Sequence, residues 1–251
     1  MSARLGLALY TVRDACARDF EGTLRSVAEI GYEGVEPNDL FGRDARALRA
    51  LLDDLGLVVT SRHAGLEAIE TNLDGLADEL GELGSDRLVL SWIAQPASGA
   101  EADRVVDRIG AAAERAKAAG LRLGFHNHDG ELRPLEDGRT VIDRLLQLDD
   151  DLLFLQLDLG WAWFAGVEPV GLVERVSPRA PLVHVKDLGA GTRPRFVAVG
   201  DGAVDYPRVL PAIRDFDVEW LLVEQDETEG DTLEAARRSF AAVTTMVASP
   251  T

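Results

Sequence analysis

Short apolar runs and longer amphipathic stretches alternate along the whole chain. The runs are rich in Leu and Val and predict β-strands over residues 4–9, 33–36, 57–61, 87–91, 121–126, 152–158, 181–186 and 220–224. Between them, apolar positions recur at helical spacing and predict helices over 20–30, 44–55, 67–83, 101–119, 140–148, 169–176, 206–215 and 232–247. Gly31, Gly56, Gly84 and Gly120 each close an apolar helical run just before the next strand, the place of a C-terminal cap. The repeating unit is therefore strand, loop, helix, glycine. Eight such units in 251 residues come to roughly 31 residues each, matching an α/β fold of the (β/α)8 TIM barrel type, whose usual size is about 250 residues. A doubly wound open sheet would place a Gly-rich phosphate turn after an early strand, and neither 9–14 nor 36–40 supplies one. No linker rich in Pro, Gly or Ser breaks the alternation, so residues 1–251 are expected to form a single domain.

Strand parity narrows the site. In a barrel both faces of a strand are buried, one under helices and one in the interior. Leu153, Leu155 and Leu157 share a face opposite Phe154, Gln156 and Asp158. Val183 and Val185 oppose His184 and Lys186; Leu221 and Val223 oppose Leu222, Glu224 and Asp226; Leu121, Leu123 and Phe125 oppose Gly124, His126 and His128. Four successive strands thus end in ionisable groups on one face, which a barrel gathers at its C-terminal mouth.

Composition removes several function classes. Lys and Arg number 26 against 44 Asp and Glu, a net charge of −18 that repels phosphate backbones and anionic membranes. No nucleic-acid or membrane partner is expected. Cys16 is the sole cysteine, which rules out an internal disulfide and a Cys-based zinc or iron–sulfur site. The apolar run at the start is shorter than a signal h-region and soon meets Arg13 and Asp14, so a cytoplasmic location is expected. A homo-oligomer is compatible with the sequence, which carries no sign of its order.

The polar strand ends carry the chemistry. Asp158, in Leu157-Asp158-Leu159-Gly160-Trp161, either caps the following turn or points into the mouth, where a buried carboxylate requires a cation or donors. His184-Val185-Lys186-Asp187 admits an ion pair between Lys186 and Asp187, yet beside Asp158 and Glu224 it also supplies an imidazole to two carboxylates from adjacent strands. One imidazole among carboxylates suits Mn2+, Co2+, Zn2+ or Mg2+. His126-Asn127-His128-Asp129-Gly130-Glu131 is the densest polar cluster and holds two of the four histidines, candidate ligands or proton carriers. The turn from Gly200 to Asp205 is expected to be a tight loop in which Asp205 caps the next helix.

The ordered strand ends, Gly34-Val35-Glu36, His126-Asn127-His128-Asp129-Gly130-Glu131, Asp158-Leu159-Gly160-Trp161, Ala165-Gly166-Val167-Glu168-Pro169, His184-Val185-Lys186-Asp187, Gly200-Asp201-Gly202 and Glu224-Gln225-Asp226, resemble the sugar phosphate isomerase/epimerase family. That family belongs to the xylose isomerase-like barrels, which include inosose dehydratases, and the likeness spans nearly the whole chain. It implies one divalent metal ion, Mn2+ foremost with Mg2+, Co2+ or Zn2+ as alternatives, held by Asp158, His184 and Glu224. The fifth strand departs from the common pattern, with Gly124 where many members carry a ligand Glu. This leaves His126, His128 and Glu131 open as the fourth ligand, Glu131 being preferred because it restores a carboxylate.

The resemblance further implies that Glu36 and His63 are substrate or network residues and that Trp161 is a wall against a sugar face. Trp92 falls at another strand end, where packing is the default. The implied substrate is a small sugar or polyol. The implied reaction removes a proton next to its carbonyl to give an enediolate, with His126 or His128 as acid/base and Lys186 as a fixed donor. Returning the proton makes an isomerase or epimerase; losing a β-hydroxyl makes an inosose dehydratase-like lyase. A metal-free carbohydrate-binding protein on the same barrel is the non-enzymatic alternative.

Overall fold

The computed structural model of the protein describes residues 3–248. Its strands are β1 (Arg4–Ala8), β2 (Gly34–Glu36), β3 (Val58–Val59), β4 (Arg62–Ala64), β5 (Arg87–Leu90), β6 (Arg122–His126), β7 (Leu153–Asp158), β8 (Leu182–Val185), β9 (Asp187–Leu188), β10 (Phe196–Val197) and β11 (Trp220–Val223). All but β9 and β10 form one sheet in the order β3-β2-β1-β11-β8-β7-β6-β5-β4, with every pairing parallel. The two ends of that sheet, β3 and β4, are pieces of one stave interrupted at Thr60 and Ser61. Because β3 pairs with β2 while β4 pairs with β5, the broken stave closes the ring. The result is the eight-staved barrel that the alternation predicts, with helices outside.

The third stave breaks because its middle residues turn to the neighbouring strand: Thr60 Oγ1 donates to the Val35 carbonyl at 3.2 Å and Ser61 Oγ donates to Glu36. The predicted helix over 67–83 is two helices, Leu66–Thr71 and Leu73–Leu83, separated at Asn72. The helix predicted over 140–148 is a short one, Val141–Leu145, opened by a Thr140/Asp143 capping box. Two further helices, Arg13–Arg18 and Leu159–Phe164, follow strand ends, and β9 and β10 pair antiparallel as a small ribbon above the mouth. Gly31, Gly56 and Gly84 occupy the expected left-handed caps.

The two strand faces separate as parity predicts. Leu153, Leu155, Leu157, Val183, Val185, Leu221 and Val223 pack in the large core between sheet and helices. Val89, Phe154, Leu182, Trp220 and Leu222 form a separate apolar plug. Each such side chain contributes on the order of 1.5–3 kcal/mol relative to leaving it in water. The plug also explains Gly124, which lies in register with Phe154. A Cβ at 124 would stand 2.3 Å from the Phe154 ring, so neither Glu nor any other side chain fits there while Phe154 fills the interior.

The turn after β10 differs from expectation. Asp205 sits at the N-cap of helix Tyr206–Ala212 but makes no side-chain cap bond. The carboxylate that organises the turn is Asp187, which accepts from the backbone N–H groups of Leu188 (2.9 Å), Gly200 (2.9 Å), Gly202 (3.0 Å) and Val204 (3.2 Å). Four backbone donors satisfy it more completely than one lysine, and Lys186 is thereby left for the barrel mouth.

Candidate metal centre and its buried support

Above the apolar plug, the interior residues of successive staves become polar: Glu36 on β2, His126 on β6, Gln156 and Asp158 on β7, and His184 on β8, with Lys186 and Glu224 just past the ends of β8 and β11. All seven are at most 5% exposed. Each is placed by the alternation that sends its apolar neighbours outward. Donor atoms of His126, Asp158, His184 and Glu224 all lie within 4.8 Å of one another.

Both nitrogens of His184 meet carboxylates: Nε2 lies 2.7 Å from Glu36 Oε2 and Nδ1 lies 2.9 Å from Glu224 Oε2. A carboxylate only accepts, so both nitrogens donate and the ring is an imidazolium. Burial opposes that charge, but the attraction of Glu36 and Glu224 outweighs it and holds His184 at about 10. Lys186 Nζ stands 2.7 Å from Asp226 Oδ1, 2.9 Å from Glu224 Oε2 and 3.0 Å from Asp158 Oδ2. Burial alone would raise the carboxyls of Glu36 and Glu224, yet the neighbouring cations hold both well below the usual range. Burial prevails at Asp158, which is raised, and at Asp226, raised to about 6.

Burial also pushes two other imidazoles down, His126 well below its ordinary value and His128 to about 4, where the charge of Lys186 adds to the effect. Both rings are neutral at physiological pH and keep a lone pair for a cation or a proton.

This donor set fits a divalent ion. Two imidazoles and two carboxylates make a borderline set suited to zinc or manganese. Asp158 splits its duties: Oδ1 accepts from the Trp161 N–H at 2.8 Å, the cap that one reading of the sequence expects, while buried Oδ2 faces Lys186 and has no hydrogen-bond partner among the described residues. Glu36, Asp158, Glu224 and Asp226 against Lys186 and His184 leave a formal −4 + 2 = −2, a negative charge that attracts a cation.

A cavity of about 460 Å3 opens over these groups, lined among others by Tyr10, Asn38, His63, Trp92, His128 and Lys186. That volume is in the range of small-molecule sites. The fourth donor beside Asp158, His184 and Glu224 is His126, whereas Glu131 stands outside the group. The Glu131 carboxylate accepts from the His128 N–H at 2.8 Å and is raised by burial, a strut beneath the loop. Glu36 does not line the cavity, since its carboxylate is engaged by Ser61, Gln156, His63 and His184. Trp161 lies behind it, 8% exposed and packed at 5.6 Å on His128 and 5.5 Å on Phe196. The exposed aromatics that line the cavity are Trp92, at 61%, and Tyr10, at 39%.

Gln156 is a buried network residue that the sequence motifs do not single out, although parity places it on the interior face. A polar amide between leucines in a fully buried strand was the available signal.

The chain is 26% identical to an inosose dehydratase of Geobacillus kaustophilus (strain HTA426) over 246 residues, covering 81% of this chain and 79% of that protein. Its fold superposes on a sugar phosphate isomerase/epimerase from Parabacteroides distasonis ATCC 8503 with a TM-score of 0.83 at 22% identity, covering 99% and 95% of the two chains. It also superposes on the IOLI protein with a binding zinc atom, at a TM-score of 0.78 and 15% identity over 97% and 98%. The family model described as xylose isomerase-like TIM barrel matches residues 24–243, and with the ring of staves and the polar mouth in place the chain belongs to that family.

Proposed function

We propose that the protein is a divalent-metal-dependent enzyme that removes a proton next to the carbonyl of a small keto-sugar or keto-polyol, as an isomerase or epimerase. The observation that carries this reading is the convergence of His126, Asp158, His184 and Glu224, of which His126 and Glu224 line the cavity and Asp158 and His184 lie buried behind them. These four residues would hold the ion. When bound, such an ion supplies polarisation of the substrate carbonyl and makes the adjacent C–H more acidic.

The chain's own groups supply the rest. His128 is neutral at physiological pH and lines the cavity, so its ring has a lone pair with which to accept a proton. The Lys186 charge that disfavours His128 protonation is balanced as negative charge grows on the substrate oxygens. Lys186 itself is held by three carboxylates, a fixed cation at the cavity wall that stabilises an enediolate without reorganising. Return of the proton to the neighbouring carbon, or to the other face of the same carbon, separates isomerase from epimerase.

Dehydration is the second reading, favoured by the likeness to an inosose dehydratase. It shares the proton abstraction and differs in expelling a β-hydroxyl.

The test is incubation of purified protein with keto-sugars and inososes in deuterated water, with Mn2+ or Zn2+ added or chelated. Metal-dependent deuterium incorporation next to the carbonyl is expected, and the product separates the two readings. A protein that binds neither ion and exchanges no proton with any of these substrates would overturn both.

A further inference from the structure

Beneath the candidate centre, a chain of hydrogen bonds leads from Glu36 to His126 through a side chain that does not line the cavity. Gln156 is fully buried, and its Nε2 donates to Glu36 Oε1, which also accepts from Ser61. The opposite end, Oε1, lies 3.0 Å from His126 Nδ1 and 2.7 Å from His63 Nε2. We propose that Gln156 is a positioning residue that locks His126 in the Nδ1–H tautomer, so that Nε2 carries the lone pair offered to a cation or a proton.

Donors and acceptors fix which way the amide faces. A carboxylate has no hydrogen to give, so the amide end against Glu36 must be the NH2 and the end against the two histidines must be the carbonyl oxygen. Turning the amide over would set its oxygen against Glu36 and its NH2 against two rings, leaving a buried acceptor facing an anion. An amide oxygen only accepts. His126 Nδ1 and His63 Nε2 must therefore both carry hydrogen, and a neutral His126 has its lone pair on Nε2 alone. The anion that sets this tautomer is Glu36, which also holds His184 through Nε2. One carboxylate thereby orients two of the four candidate ligands, one directly and one through an amide. Outer partners of this kind commonly govern metal affinity by ten- to a hundredfold.

The use made of the lone pair rests on the proposed function; the tautomer does not. The test is therefore made first on chelator-treated, 15N-labelled protein by long-range proton–nitrogen correlation, which distinguishes protonated from bare ring nitrogens. His126 signals are assigned by their loss in His126→Asn. The wild-type protein is expected to show Nδ1–H with bare Nε2 for His126, and Nε2–H for His63. Gln156→Glu keeps an acceptor oxygen opposite the rings and should retain that pattern. Gln156→Met removes the acceptor and should move His126 to a mixture or to Nε2–H, with Zn2+ affinity falling about ten- to a hundredfold.

A wild-type His126 protonated at Nε2, or a folded Gln156→Met variant that keeps the Nδ1–H tautomer, overturns the proposal. Should Gln156→Met not fold, the wild-type and Gln156→Glu spectra decide it, since both must show Nδ1–H. The expected tautomers in a protein that takes up no ion would support the positioning role while defeating the metal-dependent reading.

Discussion

The most quantitative consequence concerns the proton on His184. With Nε2 on Glu36 and Nδ1 on Glu224, the metal-free ring titrates at about 10. An ion that uses this ring must displace that proton. At pH 7 this costs three decades of affinity, or about 4 kcal/mol at ~1.36 kcal/mol per tenfold. His126 and His128 add no such cost, since both are already neutral there. Ion affinity is therefore expected to rise about tenfold per pH unit between pH 6.5 and 8.5.

The proton also bears on stability. The folded value lies above the unfolded 6.5, so this contribution is fully present below pH 6.5 and is lost as pH rises through about 10. Melting of the metal-free protein should fall across that window. Calorimetric titration of Zn2+ or Mn2+ at pH 7.5, in two buffers of different ionisation heat, measures the proton count directly. About one proton per ion is expected, and less in Glu36→Gln. A release near zero together with an affinity flat from pH 6.5 to 8.5 would refute the doubly bonded imidazolium.

Glu224→Gln should lower ion affinity by more than about a hundredfold and abolish metal-dependent proton exchange. Circular dichroism should show an intact fold, because Lys186 keeps Asp158 and Asp226 and His184 keeps Glu36. Gly124→Ala drives a methyl into the Phe154 ring and should cost about 1–3 kcal/mol, read as a lower melting temperature; an unchanged value would mean that the plug is loosely packed. Trp92→Ala removes the most exposed aromatic ring of the cavity and should raise KM about three- to tenfold with kcat unchanged, the mark of lost ground-state binding. A fall in kcat instead would place that ring closer to the reacting atoms.

Much of the molecule was legible along the chain because its governing signals are local. Strand and helix follow from hydrophobic period, and the face a side chain occupies follows from parity, so the barrel and the inward aim of Asp158, His184 and Glu224 needed no coordinates. What the tertiary structure alone decided is who meets whom across the ring. Glu36 reaches Gln156 across 120 residues and His184 across 148. The pairing in register of Gly124 with Phe154 turns an apparent gap in the ligand pattern into a requirement of packing. The release of Lys186 to the mouth depended on a loop whose backbone N–H groups satisfy Asp187. The engagement of Glu36, the place of Glu131 beneath a loop and the retreat of Trp161 behind the cavity are of the same kind. Periodicity says which side of a strand a group faces. It is silent on the distance and angle to a partner on another stave, which closure of the ring sets and on which hydrogen bonding and buried charge depend.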